Sequence, residues 1–245
     1  MRIVTNLLAI ETSTERLSLA VRHGGSLFTR EIDAGQRHSE LTLPLLHELL
    51  DEADVSLQQL DAIAFGQGPG SFTGVRIACG LSQGLALGLG KPVLPVPTQM
   101  ALAEQQAGAK VLVAIDARMG EIYFAAYRCD DNAATGWIAE VAPVLLKPAA
   151  LPHLEGHDWA GIGSAFDVAA LGGALAQHYG LQLNGVVLNA LPRAADVAAI
   201  ATRQIARAGI ACAIKPEDAA PLYLRNKVAM TIEERKTHHA NKVAA

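Results

Sequence analysis

The chain is short of cysteine. Cys79, Cys129 and Cys212 are the three in 245 residues, odd in number and far apart. None stands at metal-ligand spacing from another, which excludes a zinc ribbon or a disulfide scaffold and points to a reduced, intracellular protein. No catalytic motif surrounds any of them, so each reads as a small buried apolar residue. A surplus of basic residues is also missing, since 20 Lys and Arg stand against 24 Asp and Glu for a formal net charge of -4. That excludes a broad basic face for nucleic acid; contact with a polynucleotide would need a local patch or a partner's surface. Long apolar runs are lacking too. The longest, VRIACGLSQGLALGLG at 75–90, carries Arg76, Ser82 and Gln83 and falls short of a bilayer span. The start, MRIVTNLLAIETS, is too short an apolar run for a secretory signal. A soluble, cytoplasmic protein is expected.

What is present is apolar residue in quantity. At 51% hydrophobic, the chain can fill one large core or two small ones. LLAIE reads as a buried strand, and RLSLAVR and SLFTREI as two more joined by a Gly24-Gly25 hairpin turn. TLPLLHELLDEA predicts a helix with Thr42 as N-cap and Pro44 in its first turn. Leu45, Leu46, Leu49, Leu50 and Ala53 form its apolar stripe, with Glu48, Asp51 and Glu52 toward water. DAIAFG is a strand that runs through GQGPGSFTG into a helix from about Val75 to Gly88. PVLPV is a further strand, and Thr98 caps a short helix after it.

The second half restarts the same way. AIETSTERLSLAV at 9–21 matches AIDARMGEIYFAAY at 114–127: an apolar strand ends on an acid, Glu11 or Asp116, and an alternating strand returns. AFGQGPGSFTG and WAGIGSAFDVAAL each leave a strand through glycines into a helix. Two matched units in one order, about a hundred residues apart, favour duplicated α/β subdomains over a solenoid. The subdomains are expected at 1–106, joined by 221–232, and at 107–220. The polar tail 233–245 holds His238 and His239 as solvated residues.

Acid-ended hairpin turns paired across two subdomains are how the actin, Hsp70 and sugar-kinase (ASKHA) fold grips nucleotide phosphates. Kinases of that kind carry D-x-G-x-T at the first turn, where glycine lets backbone approach phosphate. Here the turns read Glu11-Thr12-Ser13-Thr14-Glu15 and Asp116-Ala117-Arg118-Met119-Gly120-Glu121, each without that glycine. Phosphotransfer is therefore disfavoured, while Thr12 and Ser13 can still donate to an anion. The loop at 66–76 is neither G-x-G-x-x-G nor a P-loop. It supports two readings equally: an anion site at a helix N-terminus near Arg76, or a tight structural crossing. Gly80, Gly84 and Gly88 line one helix face at a cost of roughly 1 kcal/mol each against alanine, which makes sense if another helix must come close. That helix is either an intramolecular neighbour or a partner's.

HLEGH at 153–157 spaces His153 and His157 four apart, as a metal pair on a helix would. It is not H-E-x-x-H, Gly156 weakens a helix there, and a third ligand is wanting, so a surface pair is the stronger reading.

AIETSTERLSLAV, GQGPGSFTGVRIACGLSQGLALG, PVLPVPT, AIDARMGEIY and PLYLRN, in this order, resemble the TsaB (formerly YeaZ) family from about Leu7 to Lys227. The resemblance implies the two-subdomain ASKHA fold and a non-catalytic relative of TsaD. It also implies a role in placing threonylcarbamoyl on the adenosine next to the anticodon of tRNAs that read codons beginning with A. TsaD and the ATPase TsaE are the implied partners, with self-association through the same first-half helices and tRNA reached through the complex. The metal motif of TsaD falls here on VPTQMALAE, its two ligand positions on Thr98 and Leu102, so no metal is expected. The partner-facing candidates are Leu46, Leu50, Gly80, Gly84 and Gly88, with either leucine equally suited to the core. Glu11, Thr12, Ser13, Gly70, Ser71, Thr73 and Arg118 are expected to line the inter-subdomain cleft, which either binds ATP or ADP weakly or is vestigial. Tyr223, Leu224 and Arg225 resemble the family's closing motif, with a structural role. Two rivals stand beside this reading: a small-molecule phosphotransferase on the same fold, and a metallohydrolase using His153 and His157.

Overall fold

A computed structural model describes residues 6–106, 108–180 and 182–225. The expected tail from residue 233 lies outside these residues. The first unit opens with three antiparallel strands, β1 (Leu7–Glu11), β2 (Arg16–His23) and β3 (Ser26–Asp33). Gly24 and Gly25 both hold positive φ, as a two-residue hairpin following the twist of its strands requires. Helix α1 (His38–Glu52), β4 (Ala62–Gly66), α2 (Phe72–Leu89), β5 (Val93–Val96) and α3 (Thr98–Ala103) follow. The second unit repeats the plan with β6 (Lys110–Asp116), β7 (Ile122–Cys129), β8 (Trp137–Leu146), β9 (Trp159–Ile162), α4 (Ala169–Tyr179), β10 (Leu183–Val187) and α5 (Ala194–Ala208).

The sheets run β3-β2-β1-β4-β5 and β8-β7-β6-β9-β10. Adding five to each strand number converts one into the other. In both, a meander is antiparallel and the last two strands join in parallel. The duplication read from the motif echoes is therefore present in the topology.

Both faces of the first sheet are covered, and the strands show it: β1 and β4 are buried at every residue. Leu8, Ile10, Leu19, Ile63 and Phe65 pack under α1 and α2. The other face, Leu7, Ala9, Ala20, Ala62 and Ala64, is mostly alanine, and it packs against Val197, Ala198, Ile200 and Ala201 of α5. The second sheet receives α3 in exchange, where Leu102 and Ala103 meet Val111, Val113, Ala125 and Tyr127. Each unit's last helix thus covers the other unit's sheet. This corrects the expected boundary at 107–220, since residues 194–208 belong by packing to the first sheet. Ile214 likewise bridges Val93. The alanine face can accept a close helix from either unit, and sequence separation did not indicate which one.

Local expectations are corrected at three points. Helix α1 starts at His38, so Thr42 is no cap and donates instead to the His38 carbonyl at 2.6 Å. Pro44 sits inside the helix, exposed, where water can take the carbonyl of Glu40 that its missing N–H leaves free. Thr98 is the first residue of α3, following Pro97, and its hydroxyl is used elsewhere. Cys79 is buried as expected, but Cys129 and Cys212 are exposed. Helix α2 has the length and, at mean hydropathy 1.2, the composition of a minimal span, yet Ala78, Cys79 and Ala86 pack into the first core.

Candidate functional site

The two units face each other across a cleft of about 1520 Å³. Its walls are the turn after β1, the loop and first turn of α2, the turn after β6, and the segment Leu222–Arg225. Ser13, Gly70, Ser71, Thr73 and Arg118 line it, as the sequence suggested. Glu11 and Thr12 do not. Both lie beneath the loop 66–74, at 1% and 0% exposure.

The reason lies in how closely that loop seats on the first turn. A Cβ on Gly66 would lie 1.8 Å from Glu11 Oε2, and one on Gly74 would lie 1.9 Å from the Thr12 carbonyl oxygen. Ser71 N–H donates to the Ser13 carbonyl at 2.7 Å, and the Thr12 hydroxyl donates to the Gly74 carbonyl at 2.7 Å. The carboxylate of Glu11 accepts from Ser13 N–H at 2.6 Å and from the Thr98 hydroxyl at 3.1 Å. Thr98 in turn accepts from Gly68 N–H at 3.1 Å, while its own N–H donates to the Gly68 carbonyl at 2.8 Å. Burial raises the pKa of Glu11, and the donors at Ser13 and Thr98 oppose that rise. The glycines of the loop serve a tight crossing onto the first turn, and the acid of that turn is walled off from the cleft.

The second acid differs. Asp116 is half-buried beside the cleft and accepts from Arg118 N–H at 2.7 Å and from its guanidinium at 3.2 Å. Arg118, Met119 and Gly120 all hold positive φ, and the Arg118 side chain is highly exposed on the cleft wall. Arg76 is not positioned at the loop as an anion ligand. Its guanidinium lies 3.5 Å above the Phe72 ring, and its Nε donates to the Tyr223 hydroxyl at 2.7 Å.

The partner-facing candidates separate cleanly. Leu46 and Leu50, at 2% and 7% exposure, belong to the first core and are corrected from surface to interior. Gly80, Gly84 and Gly88 are exposed, and a Cβ on any of them would meet nothing within 4 Å. The intramolecular-neighbour reading of that stripe is thereby removed among the described residues. Leu87 on the same helix is 67% exposed and Leu43 on α1 is 48% exposed. Periodicity could find the α1 stripe but not separate its core-facing from its outward leucines.

His153 and His157 are exposed on an irregular stretch, so they share no helical face. Leu154 is buried, and its carbonyl and that of Gly156 accept from the Gln182 amide. The stretch is a packed connection into β9. Among the described residues no three His, Cys, Asp or Glu side chains cluster as a metal site.

Thr98 as partner to Glu11, and residues 220–225 as a cleft wall, were not legible as site features. The only signal was PLYLRN standing far from every other motif.

Two duplicated α/β units about one cleft define the class: an actin, Hsp70 and sugar-kinase type fold. The family model for TsaD, tRNA N6-adenosine threonylcarbamoyltransferase, matches residues 31–233. The tRNA threonylcarbamoyladenosine biosynthesis protein TsaB of Escherichia coli (strain K12) is 38% identical over 232 residues, 91% of this chain and 96% of that protein. A Pseudomonas aeruginosa structure, described as an uncharacterized protein with similarity to peptidase YEAZ, gives a TM-score of 0.80 at 35% identity, covering 90% of this chain and 100% of its own. YeaZ from Pseudomonas aeruginosa gives 0.76 at 34%, with the same coverage. The chain belongs to the TsaB (YeaZ) family.

Proposed function

We propose that this chain is a non-catalytic subunit in forming threonylcarbamoyladenosine next to the anticodon of tRNAs that read codons beginning with A. It acts by binding TsaD, together with TsaE, and tRNA is reached through the complex. The observation that carries the non-catalytic part is the buried set Glu11, Thr98 and Gly68. The acid that kinases of this fold direct at phosphate is here a buried acceptor, held by Thr98 and Ser13. Thr98 and Leu102, at the positions TsaD resemblance gives to metal ligands, are each 1% exposed and packed. The open glycine face of α2, with Leu87, supports a partner-binding surface, through which the free chain also pairs with itself. Weak ATP or ADP binding in the cleft is supported by the Ser71 and Thr73 hydroxyls at the start of α2.

Reconstitution tests the reading. Unmodified tRNA, TsaD, TsaE, ATP and a source of threonylcarbamoyl-adenylate are combined with and without this chain, and modified adenosine is counted by mass spectrometry. Modification is expected to require the chain, which alone does nothing. Equal modification in its absence would sink the proposal.

A further inference from the structure

Residues 220–225 cross from one unit to the other at the mouth of the cleft. On the first unit, Leu222 N–H donates to the Gln67 carbonyl at 2.8 Å and the Gln67 amide donates to the Ala220 carbonyl at 3.0 Å. One residue on, the Tyr223 hydroxyl accepts from Arg76, whose guanidinium lies between the Phe72 and Tyr223 rings. On the second unit, the Arg225 guanidinium donates to the Ala117 carbonyl at 3.0 Å and to the Glu121 carboxylate. That pair is largely buried, at 17% and 25% side-chain exposure. The turn it grips runs through Arg118, Met119 and Gly120, all at positive φ.

The far side of the cleft is tied independently. There α3 and α5 exchange sheets, and Arg203 of α5 pairs with Glu104 and with the Thr135 carbonyl, while Trp137 Nε1–H donates to Glu104 at 2.7 Å. A body fixed at the rear alone can rock about α3 and α5. A body fixed at rear and mouth cannot. We propose that residues 220–225 are a latch that holds the two units at one separation, with Arg225 as its hook and Arg76 with Tyr223 as its anchor. The cleft of this chain is thereby set at a fixed width, where a fold that closes on a ligand would need the mouth free. This inference does not depend on which partner the chain serves.

The test is a distance measurement across the cleft in the full chain. Spin labels are placed by Ser26→Cys and Lys147→Cys, both exposed sites, with Cys129→Ser and Cys212→Ser removing the exposed thiols. Pulsed dipolar spectroscopy should return one narrow distance distribution for this parent. In Arg225→Ala the distribution should broaden and shift, and amide exchange at Ala117 and Glu121 should accelerate at least tenfold, with amides of β1 and β4 unchanged. Arg225→Lys and Glu121→Gln, which keep the size of the side chain, should show the same change in smaller degree and cover the case in which Arg225→Ala fails to fold. Unaltered distance distributions in the folded variants would overturn the latch. So would equal acceleration of exchange in β1 and β4, which marks general destabilisation.

Discussion

A single carboxyl group, that of Glu11, carries a pH signature that the cleft acids of an open site would not. Burial raises its pKa in the folded chain, so between the ordinary carboxylate value of 4.5 and the raised one the folded state binds more protons than the unfolded. Stability contributed by this group is therefore greatest at the acidic end of that window and is lost as pH rises through it. Glu11→Gln keeps an acceptor for Ser13 N–H and offers an amide donor to Thr98. Its unfolding free energy, followed by urea titration from pH 4.5 to 8, should fall less steeply with pH than that of the parent. Part of the slope will persist, because burial also raises Asp196. The sequence shows an acid at the end of a strand and nothing of the threonine that meets it, since Thr98 lies far along the chain and declares itself only when β5 and α3 are placed.

Helix α2 holds glycines of two kinds, and substitution should separate them by sign. Gly74→Ala drives a methyl into the Thr12 backbone and should cost about 3 kcal/mol, because a backbone carbonyl cannot step aside as a flexible side chain can. Gly84→Ala meets open space and should stabilise by roughly 1 kcal/mol through helix propensity alone. Chemical denaturation distinguishes the two outcomes. Gly84→Arg should leave stability near the parent value yet lower affinity for TsaD at least tenfold in calorimetric titration; unchanged affinity would move the partner surface away from this face. The spacing of four was readable in advance as a close-approach stripe. Its direction was not, because an intramolecular and an external neighbour demand the same residues. Helix α1 teaches the converse: its stripe was correct, but Pro44 drew the expected start toward itself, although an exposed helix interior tolerates a proline whose lost partner carbonyl reaches water.

For the molecule as a whole, the duplication was legible and the assembly was not. Motif echoes predicted two units in one order, and the sheets repeat strand for strand. What no local pattern conveyed is the exchange of α3 and α5, since an alanine-rich sheet face such as Ala9, Ala20, Ala62 and Ala64 is equally suited to any helix with small residues. A fragment of residues 1–106 contains every strand of the first sheet but lacks α5. It should therefore show poor near-ultraviolet dichroism and broad amide resonances, and mixing with the fragment 107–245 should restore native spectra. Native dispersion in the first fragment alone would contradict the packing described for α5.

The exchange also orders events during synthesis. Strand β1 leaves the ribosome well before the helix that covers its alanine face, since β1 ends at Glu11 and α5 begins only at Ala194. The nascent chain must therefore carry the β1–β3 meander with one bare apolar side until α5 emerges, an interval in which a chaperone, and not the protein's own later helix, is the available cover.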